Sequence, residues 1–444
     1  MYDFKKTEDK ILDYWKTNNT FEKSLENRKD AGKFIFFEGP PTANGLPGIH
    51  HVQARAFKDI ICRFKTMQGY YVLRKAGWDT HGLPVELEVE RQLGFKSKKD
   101  IEKYGIAEFN KKAKESVWKY KKEWEELTKK IGFWIDMDQP YITYENYYIE
   151  SLWAIIKKIW DKKLLYLAHR VVPFCTRCGT SLSSHEVAQG YKKVIENSVY
   201  LKFKLKPNNK FSENTCILAW TTTPWTLPGN VALAVGKDIS YMMIQVPRID
   251  INGKVVYDNN KVIYENLILS EELFKRARQD TKHDLYKVFS SLYLRGNNEE
   301  YVSEKIPRPI FLGSDLIGLE YEPLFDISSL KSNASYKVYE ADFVSTEEGT
   351  GVVHTAVMYG EDDYELGTKI GLPKVHTVDE QGKFIGVSKE LDGQYVKSKE
   401  AEEIILKLLT TSYSPLATSD YEHDYPFCWR CSTPLLYYAK NSWF

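Results

Sequence analysis

Two short segments sharing one frame, Pro173-Phe174-Cys175-Thr176-Arg177-Cys178 and Pro426-Phe427-Cys428-Trp429-Arg430-Cys431, constrain this 444-residue chain more than any other feature. A C-x-x-C pair in a tight turn lets two thiolates point at one ion, and two such pairs complete a closed tetrahedral zinc site with no position left for water. The segment Met1 to Lys10 alternates charge and does not read as a secretory signal, so disulfides are disfavoured and metal ligation is favoured. The competing reading is two unrelated buried or redox pairs. If Cys175, Cys178, Cys428 and Cys431 share one ion, everything between the knuckles is an insertion whose ends are pinned together. Cys62 and Cys216 belong to no such pair and read as small core residues.

Charge and hydropathy narrow the class of protein. With 62 Lys+Arg against 61 Asp+Glu, neither a strongly basic nucleic-acid coat protein nor an acidic tail fits. A hydrophobic share of 43% and a charged share of 28% suit packed cores, at this length two to four domains. No apolar run approaches the ~18 residues of a membrane-spanning helix, so the expectation is a cytoplasmic protein without membrane contact. The lysines between Lys96 and Lys130 are interleaved with Glu102, Glu108 and Glu125 and read as solvated helix faces.

Periodicity sets the organisation. Ile11, Leu12 and Trp15 mark a helix between Phe4 and Phe21, and Phe34-Ile35-Phe36-Phe37 reads as a buried strand. That strand runs into Glu38-Gly39-Pro40-Pro41-Thr42-Ala43-Asn44-Gly45 and then a helix carrying Ala54, Phe57, Ile60, Ile61 and Phe64, the first crossover of a parallel α/β sheet. Tyr70-Tyr71-Val72 is a candidate second strand. Val117, Tyr120, Trp124, Leu127 and Ile131, and likewise Leu152, Ile155, Ile156 and Ile159, recur at helical spacing and read as core. After Tyr191 the texture turns to β: Val199 to Leu205 alternates, Ile217 to Trp220 is apolar, and Pro207-Asn208-Asn209 and Gly296-Asn297-Asn298 punctuate short strands.

Three loops hold the chemically suggestive residues. Gly48-Ile49-His50-His51 opens a helix, where free backbone N–H groups make an anion site and imidazoles add donors for phosphate. Asp79, within Gly77-Trp78-Asp79-Thr80-His81-Gly82-Leu83-Pro84, is placed to hold an ammonium group, though alone it reads equally as a turn aspartate. Trp220-Thr221-Thr222-Thr223-Pro224-Trp225-Thr226, with Gly349-Thr350-Gly351-Val352-Val353-His354-Thr355-Ala356 and Asp362-Asp363, assembles hydroxyls, an imidazole and a carboxylate suited to a sugar or an ester. Threonine runs are otherwise common on edge strands.

Together these segments resemble the isoleucyl-tRNA synthetases, class I aminoacyl-tRNA synthetases, from Phe4 to Phe444. The first motif is worded as in the eukaryote-like branch of that family. The resemblance implies an α/β fold: the first half of a class I Rossmann catalytic domain, interrupted by a mainly β editing domain (connective peptide 1) with a zinc-knuckle neck. The expected partition is 1–190 for the N-terminal helix, Rossmann half and first knuckle, 191–415 for the editing domain, and 416–444 for the second knuckle and the return.

It further implies ATP-dependent activation of isoleucine, transfer to tRNA(Ile), and ATP, Mg2+ and Zn2+ as cofactors, in a monomer. Gly39, Pro40 and Asp79 would bind the amino acid, and Asn44, Gly48, His50 and His51 would bind ATP, with His50 and His51 acting in catalysis. Thr221, Thr222, Thr223 and Thr226 would contact the terminal adenosine and ester of a mischarged valyl-tRNA. Asp363 would hold its ammonium group as the catalytic carboxylate, and His354 would wall off the longer isoleucyl side chain. Cys175, Cys178, Cys428 and Cys431 would hold zinc. The rival class is an editing or tRNA-binding module without synthetic activity. The lysine-rich loop that the family uses to stabilise pyrophosphate is absent from these residues, so pyrophosphate exchange is expected only of a longer protein.

One departure from the family is local. Its signature reads His-x-Gly-His, whereas here the first histidine and the glycine have traded places. A side chain at His50 is expected to crowd the adenine, and Gly48 removes a phosphate donor, a loss of about 3–4 kcal/mol if uncompensated. The reading preferred is that His50 takes over the missing role in a reshaped loop, which would also reject inhibitors imitating the adenylate; the other is an impaired site.

Overall fold

The computed structural model describes residues 3–95, 98–250, 254–280, 283–295, 308–413 and 417–444. The chain divides into two compact units between Tyr166 and Leu167. Both cysteine knuckles lie in the second of these units. The expected 415/416 boundary and the Gly296-Asn297-Asn298 turn lie outside the described residues. No described helix is long and apolar enough to cross a membrane.

The first unit is mainly helical. Phe4–Thr17 is capped by the Asp3 carboxylate, which accepts the Lys6 N–H at 3.1 Å, and Ile49–Met67 is the long helix after the Pro/Gly turn. The strands Lys75–Trp78 and Asp136–Ile142 pair in parallel. Val117 and Trp124 are buried as the helical spacing requires, and the lysines of 98–130 lie on exposed helix faces.

Two expectations fail in this unit. Phe34 to Phe37 forms no strand: among the described residues there is a single parallel bridge just before it, Lys33 to Tyr71, and Ile35 and Phe37 are 72% and 88% exposed. A strand persists only while a neighbour takes its hydrogen bonds, and past Tyr71 none of the described residues does. The apolar stripe of Asn146–Asp161 is also not core, since Leu152, Ile155 and Ile159 are exposed, as are Phe57, Ile60, Ile61 and Phe64 of Ile49–Met67. Periodicity decides which face of a helix is apolar, not whether another element covers it.

The second unit is built on a six-stranded sheet in the order Ile310–Leu312, Ser240–Pro247, Tyr264–Ser270, Thr215–Thr221, Tyr191–Lys204, Ala417–Pro426. The period-two rule splits its side chains between two cores. Val199, Leu201, Phe203, Ile217, Ala219 and Ile268 face a three-stranded sheet of Ala232–Val235, Lys337–Glu340 and Val352–Thr355. Tyr200, Cys216, Leu218, Leu267 and Leu269 face Phe274 and Ala277 of Glu271–Gln279 and Leu285 of Asp284–Arg295. Both faces are covered, so the alternation of Val199 to Leu205 does not mean one wet face: Lys202 is buried and its ammonium meets the buried Glu265 carboxylate at 2.6 Å. Asn208 builds the expected turn by accepting the N–H groups of Lys210 and Phe211 at 2.9 and 2.8 Å.

The ends of the insertion are pinned as the cysteine frames implied. Tyr191–Lys204 leaves antiparallel to the returning Ala417–Pro426, with Tyr191 opposite Pro426 and Tyr200 opposite Ala417. On the other side of the knuckles, Leu167–Cys175 pairs with Leu436–Trp443, Phe174 opposite Leu436. Gly190 closes the junction: its carbonyl accepts the Phe427 N–H at 2.9 Å, and a Cβ there would lie 1.9 Å from the Phe427 carbonyl oxygen, so only glycine fits.

Candidate functional site

In the second unit the threonine segment follows directly from the end of the strand Thr215–Thr221. The Thr221 hydroxyl accepts the Thr223 N–H at 3.1 Å, and Pro224 then opens the 3-10 turn Pro224–Gly229 with its ring-fixed φ. Gly349 and Gly351 adopt φ of +77° and +73°, and a Cβ on Gly351 would sit 2.6 Å from Ser270 Cβ. This left-handed turn, tied by the Tyr241 hydroxyl donating to the Gly351 carbonyl at 2.6 Å, launches Val352–Thr355 and carries His354 to the threonines. Asp363 lies in the first turn of Glu361–Ile370 and its Oδ2 accepts the Ala356 N–H at 2.9 Å. A Cβ on Gly360, the N-cap, would be 2.9 Å from that oxygen, so the glycine makes room for the carboxylate.

These elements enclose a pocket of about 450 Å³ lined by Thr221, Thr222, Thr223, Thr226, His354 and Asp363. All six residues expected at an editing site are therefore brought together. Trp220 forms a further wall, edge-on to Tyr421 at 5.2 Å. Tyr359, Phe343 and Glu348 also line the pocket, and the sequence reading missed them. Tyr359 stood legibly between Ala356 and Asp363, whereas Phe343 and Glu348 carried no signal of their own.

Burial dominates the electrostatics. It holds His354 down to about 4, so the imidazole is neutral near pH 7. It pushes the Asp363 carboxyl up to about 6, with the Ala356 N–H opposing and Asp362 adding to the rise. A carboxylate so desolvated is poised for a cation, which would offset the cost of burying its charge.

The same shift sets a pH dependence. Asp363 binds its proton more tightly folded than unfolded, so its contribution favours the fold at low pH and is lost as pH rises from about 4 through about 6. Asp363→Asn keeps the acceptor for Ala356 without the buried charge. In urea titrations it should be more stable than the parent at pH 8, by up to about 3 kcal/mol for a two-unit shift, and equally stable at pH 4. Equal midpoints at pH 8 would contradict the buried charge.

In the first unit, Asp79 donates its N–H to the Pro41 carbonyl at 3.0 Å, which sets the Asp79 loop beside Gly39 and Pro40. Asn44 lies in a clamped turn: Tyr120 N–H donates to the Ala43 carbonyl at 3.0 Å and Trp124 Nε1 to the Gly45 carbonyl at 2.8 Å. His51 accepts the Gly48 N–H on Nδ1 at 2.9 Å and packs edge-on to Trp124 at 4.7 Å. Its pKa is lowered, first by burial and then by His50 and Arg55. A Cβ on Gly48 would meet the His50 ring at 2.9 Å, so the traded glycine and histidine form one packing unit.

The four knuckle cysteines meet with their sulfurs all within 4.8 Å of one another, and Cys431 Sγ lies 3.5 Å from both Cys175 and Cys178 Sγ. Tetrahedral ligation at about 2.3 Å puts thiolates about 3.8 Å apart, so the cluster fits a metal ion. Cys62 and Cys216 are buried elsewhere, as expected.

A mainly helical unit with a clamped Pro/Gly turn and a β-rich unit carrying a threonine–histidine–aspartate pocket make up the described chain. The sequence model of the tRNA synthetases class I (I, L, M and V) matches residues 10–444, and the chain belongs to that family. It is 46% identical over 441 residues to an isoleucine–tRNA ligase of Clostridium novyi, covering 99% of this chain and 38% of that protein. It is also 46% identical over 469 residues to one of Dehalococcoides mccartyi (strain CBDB1), covering 99% of this chain and 42% of that protein. The chain thus spans less than half the length of these curated relatives. A solved LeuRS–tRNA–LeuAMS complex of Agrobacterium radiobacter K84 is similar at 16% identity and a TM-score of 0.33, over 98% of this chain and 49% of that one.

Proposed function

We propose that this chain is part of an isoleucine–tRNA ligase and that the pocket of its second unit hydrolyses valyl-tRNA(Ile). The observation that carries this reading is the convergence of four threonines, a neutral buried histidine and a buried, charge-hungry aspartate on one pocket. Valine lacks one methylene of isoleucine, and one methylene is worth only about 1–3 kcal/mol of discrimination, a limit for which isoleucine against valine is the standard illustration. A second site that accepts only the smaller ester supplies the remainder.

In this pocket Asp363 pairs with the α-ammonium of the valyl group. Thr221, Thr222 and Thr223 offer hydroxyls to the ester and terminal ribose, and His354 presents a wall against a longer side chain. Water attacks the ester carbonyl, the bond to the ribose oxygen breaks, and that oxygen takes the proton, releasing valine and tRNA. In the first unit Gly39, Pro40 and Asp79 receive isoleucine, while Asn44 in the preceding turn and His50 and His51 at the helix start face ATP with its Mg2+. Isoleucine then displaces pyrophosphate to form the adenylate, whose acyl group passes to the terminal ribose of tRNA(Ile). The cysteine cluster holds zinc as a structural ion.

The test is hydrolysis of the two esters by the 444-residue chain. Valyl-tRNA(Ile) should be deacylated about a hundredfold or more faster than without protein, and isoleucyl-tRNA(Ile) should be spared. An unaltered lifetime of the valyl ester would overturn the reading.

A further inference from the structure

The Thr226 hydroxyl is fully engaged inside the protein. Its oxygen lies 2.8 Å from the Thr223 carbonyl oxygen and 3.0 Å from His354 Nε2. Two oxygens at that separation repel unless a proton lies between them, and the carbonyl has none to give, so the hydroxyl proton points at Thr223. The hydroxyl can then only accept from the imidazole. Nε2 must therefore carry the hydrogen and Nδ1 a bare lone pair.

The surroundings agree. His354 Nδ1 is buried and has no hydrogen-bond partner among the described residues, and an orphaned acceptor is tolerated better than an orphaned N–H. The Thr226 hydroxyl oxygen also lies 3.4 Å from that of Thr223.

We propose that Thr226 is a positioning residue that does not touch the substrate but locks His354 as the Nε2–H tautomer in one ring orientation. This rests on reading the pocket as the valyl-tRNA(Ile) hydrolysis site, and it reassigns Thr226 from ester contact to support. The mechanical consequence is specificity. Anchored along its Nε2 edge, the ring cannot rotate about its Cβ–Cγ bond without breaking the bond to Thr226, so the wall stands still. A freed ring swings aside and admits one more methylene.

The test has two arms. In the 15N-histidine-labelled chain, with the His354 signals assigned by their loss in His354→Gln, nitrogen shifts between pH 6 and 8 should show a protonated Nε2 and a bare Nδ1. Thr226→Ser should preserve that pattern and Thr226→Val should give a mixture of tautomers. In the second arm, the ratio of valyl- to isoleucyl-tRNA(Ile) hydrolysis should fall at least tenfold in Thr226→Val and be restored in Thr226→Ser. A proton on Nδ1 in the parent overturns the proposal, as does an unchanged ratio in a folded Thr226→Val. If Thr226→Val fails to fold, the parent spectrum still decides. If the parent hydrolyses neither ester, the hydrolase reading falls while the spectrum separately judges the lock.

Discussion

Asp363→Ala is expected to lower the deacylation of valyl-tRNA(Ile) by about a hundredfold or more while the protein stays folded. The carboxylate sits in the first turn of Glu361–Ile370 and accepts the Ala356 N–H at 2.9 Å. Burial pushes it up to about 6, so in the empty pocket its charge is a cost to folding and its loss is not. A bound α-ammonium reverses that sign, because two opposite charges in a desolvated pocket attract far more strongly than in water. The aspartate thus concentrates its effect in the liganded state. Asp363→Asn separates charge from shape: it should fail in hydrolysis almost as badly as alanine, yet be more stable than the parent at pH 8. Retained hydrolysis in a folded Asp363→Ala, measured by release of valine from the charged tRNA, would remove Asp363 from the mechanism.

Cys428→Ser is expected to abolish zinc binding by the four-cysteine cluster. The four sulfurs are drawn to within 4.8 Å of one another from two knuckles at opposite ends of the insertion, and removing one thiolate leaves an open three-ligand site. Structural zinc binding contributes directly to folding, so the variant should lose its zinc by elemental analysis and melt on the order of 10 °C lower. The junction that holds Tyr191–Lys204 beside Ala417–Pro426 should loosen first, since Gly190 and Phe427 meet there directly beside the second knuckle. Cys62→Ala, a buried cysteine of the first unit, should leave the zinc content unchanged. Zinc retained in Cys428→Ser would mean the knuckles do not share an ion.

Much of the chemistry was legible in the chain. The repeated Pro-Phe-Cys-x-Arg-Cys frame announced a pinned insertion, and the threonine segment, the glycine-turned His354 and Asp363 all converge on one pocket. The alternation of Val199 to Leu205 announced a strand. It did not reveal that Lys202 would be buried against Glu265, because that needs a partner two strands away. Nor did the apolar run Phe34 to Phe37 reveal that pairing would stop at the bridge from Lys33 to Tyr71.

The order of residues by itself determined which side chains could do chemistry and where the chain had to turn. Residue type, ring-fixed φ at Pro224 and the steric freedom of Gly349 and Gly351 are properties of the covalent chain. Only the tertiary structure decided which of those groups lost water, which hydroxyl was already spoken for, and which apolar face found cover. Asp363 reaches about 6 and His354 about 4 through burial, and Thr226 is turned from a substrate contact into a support by atoms at Thr223 and His354. Desolvation and hydrogen-bond geometry depend on what packs in from distant parts of the chain, and no local pattern of residues encodes that.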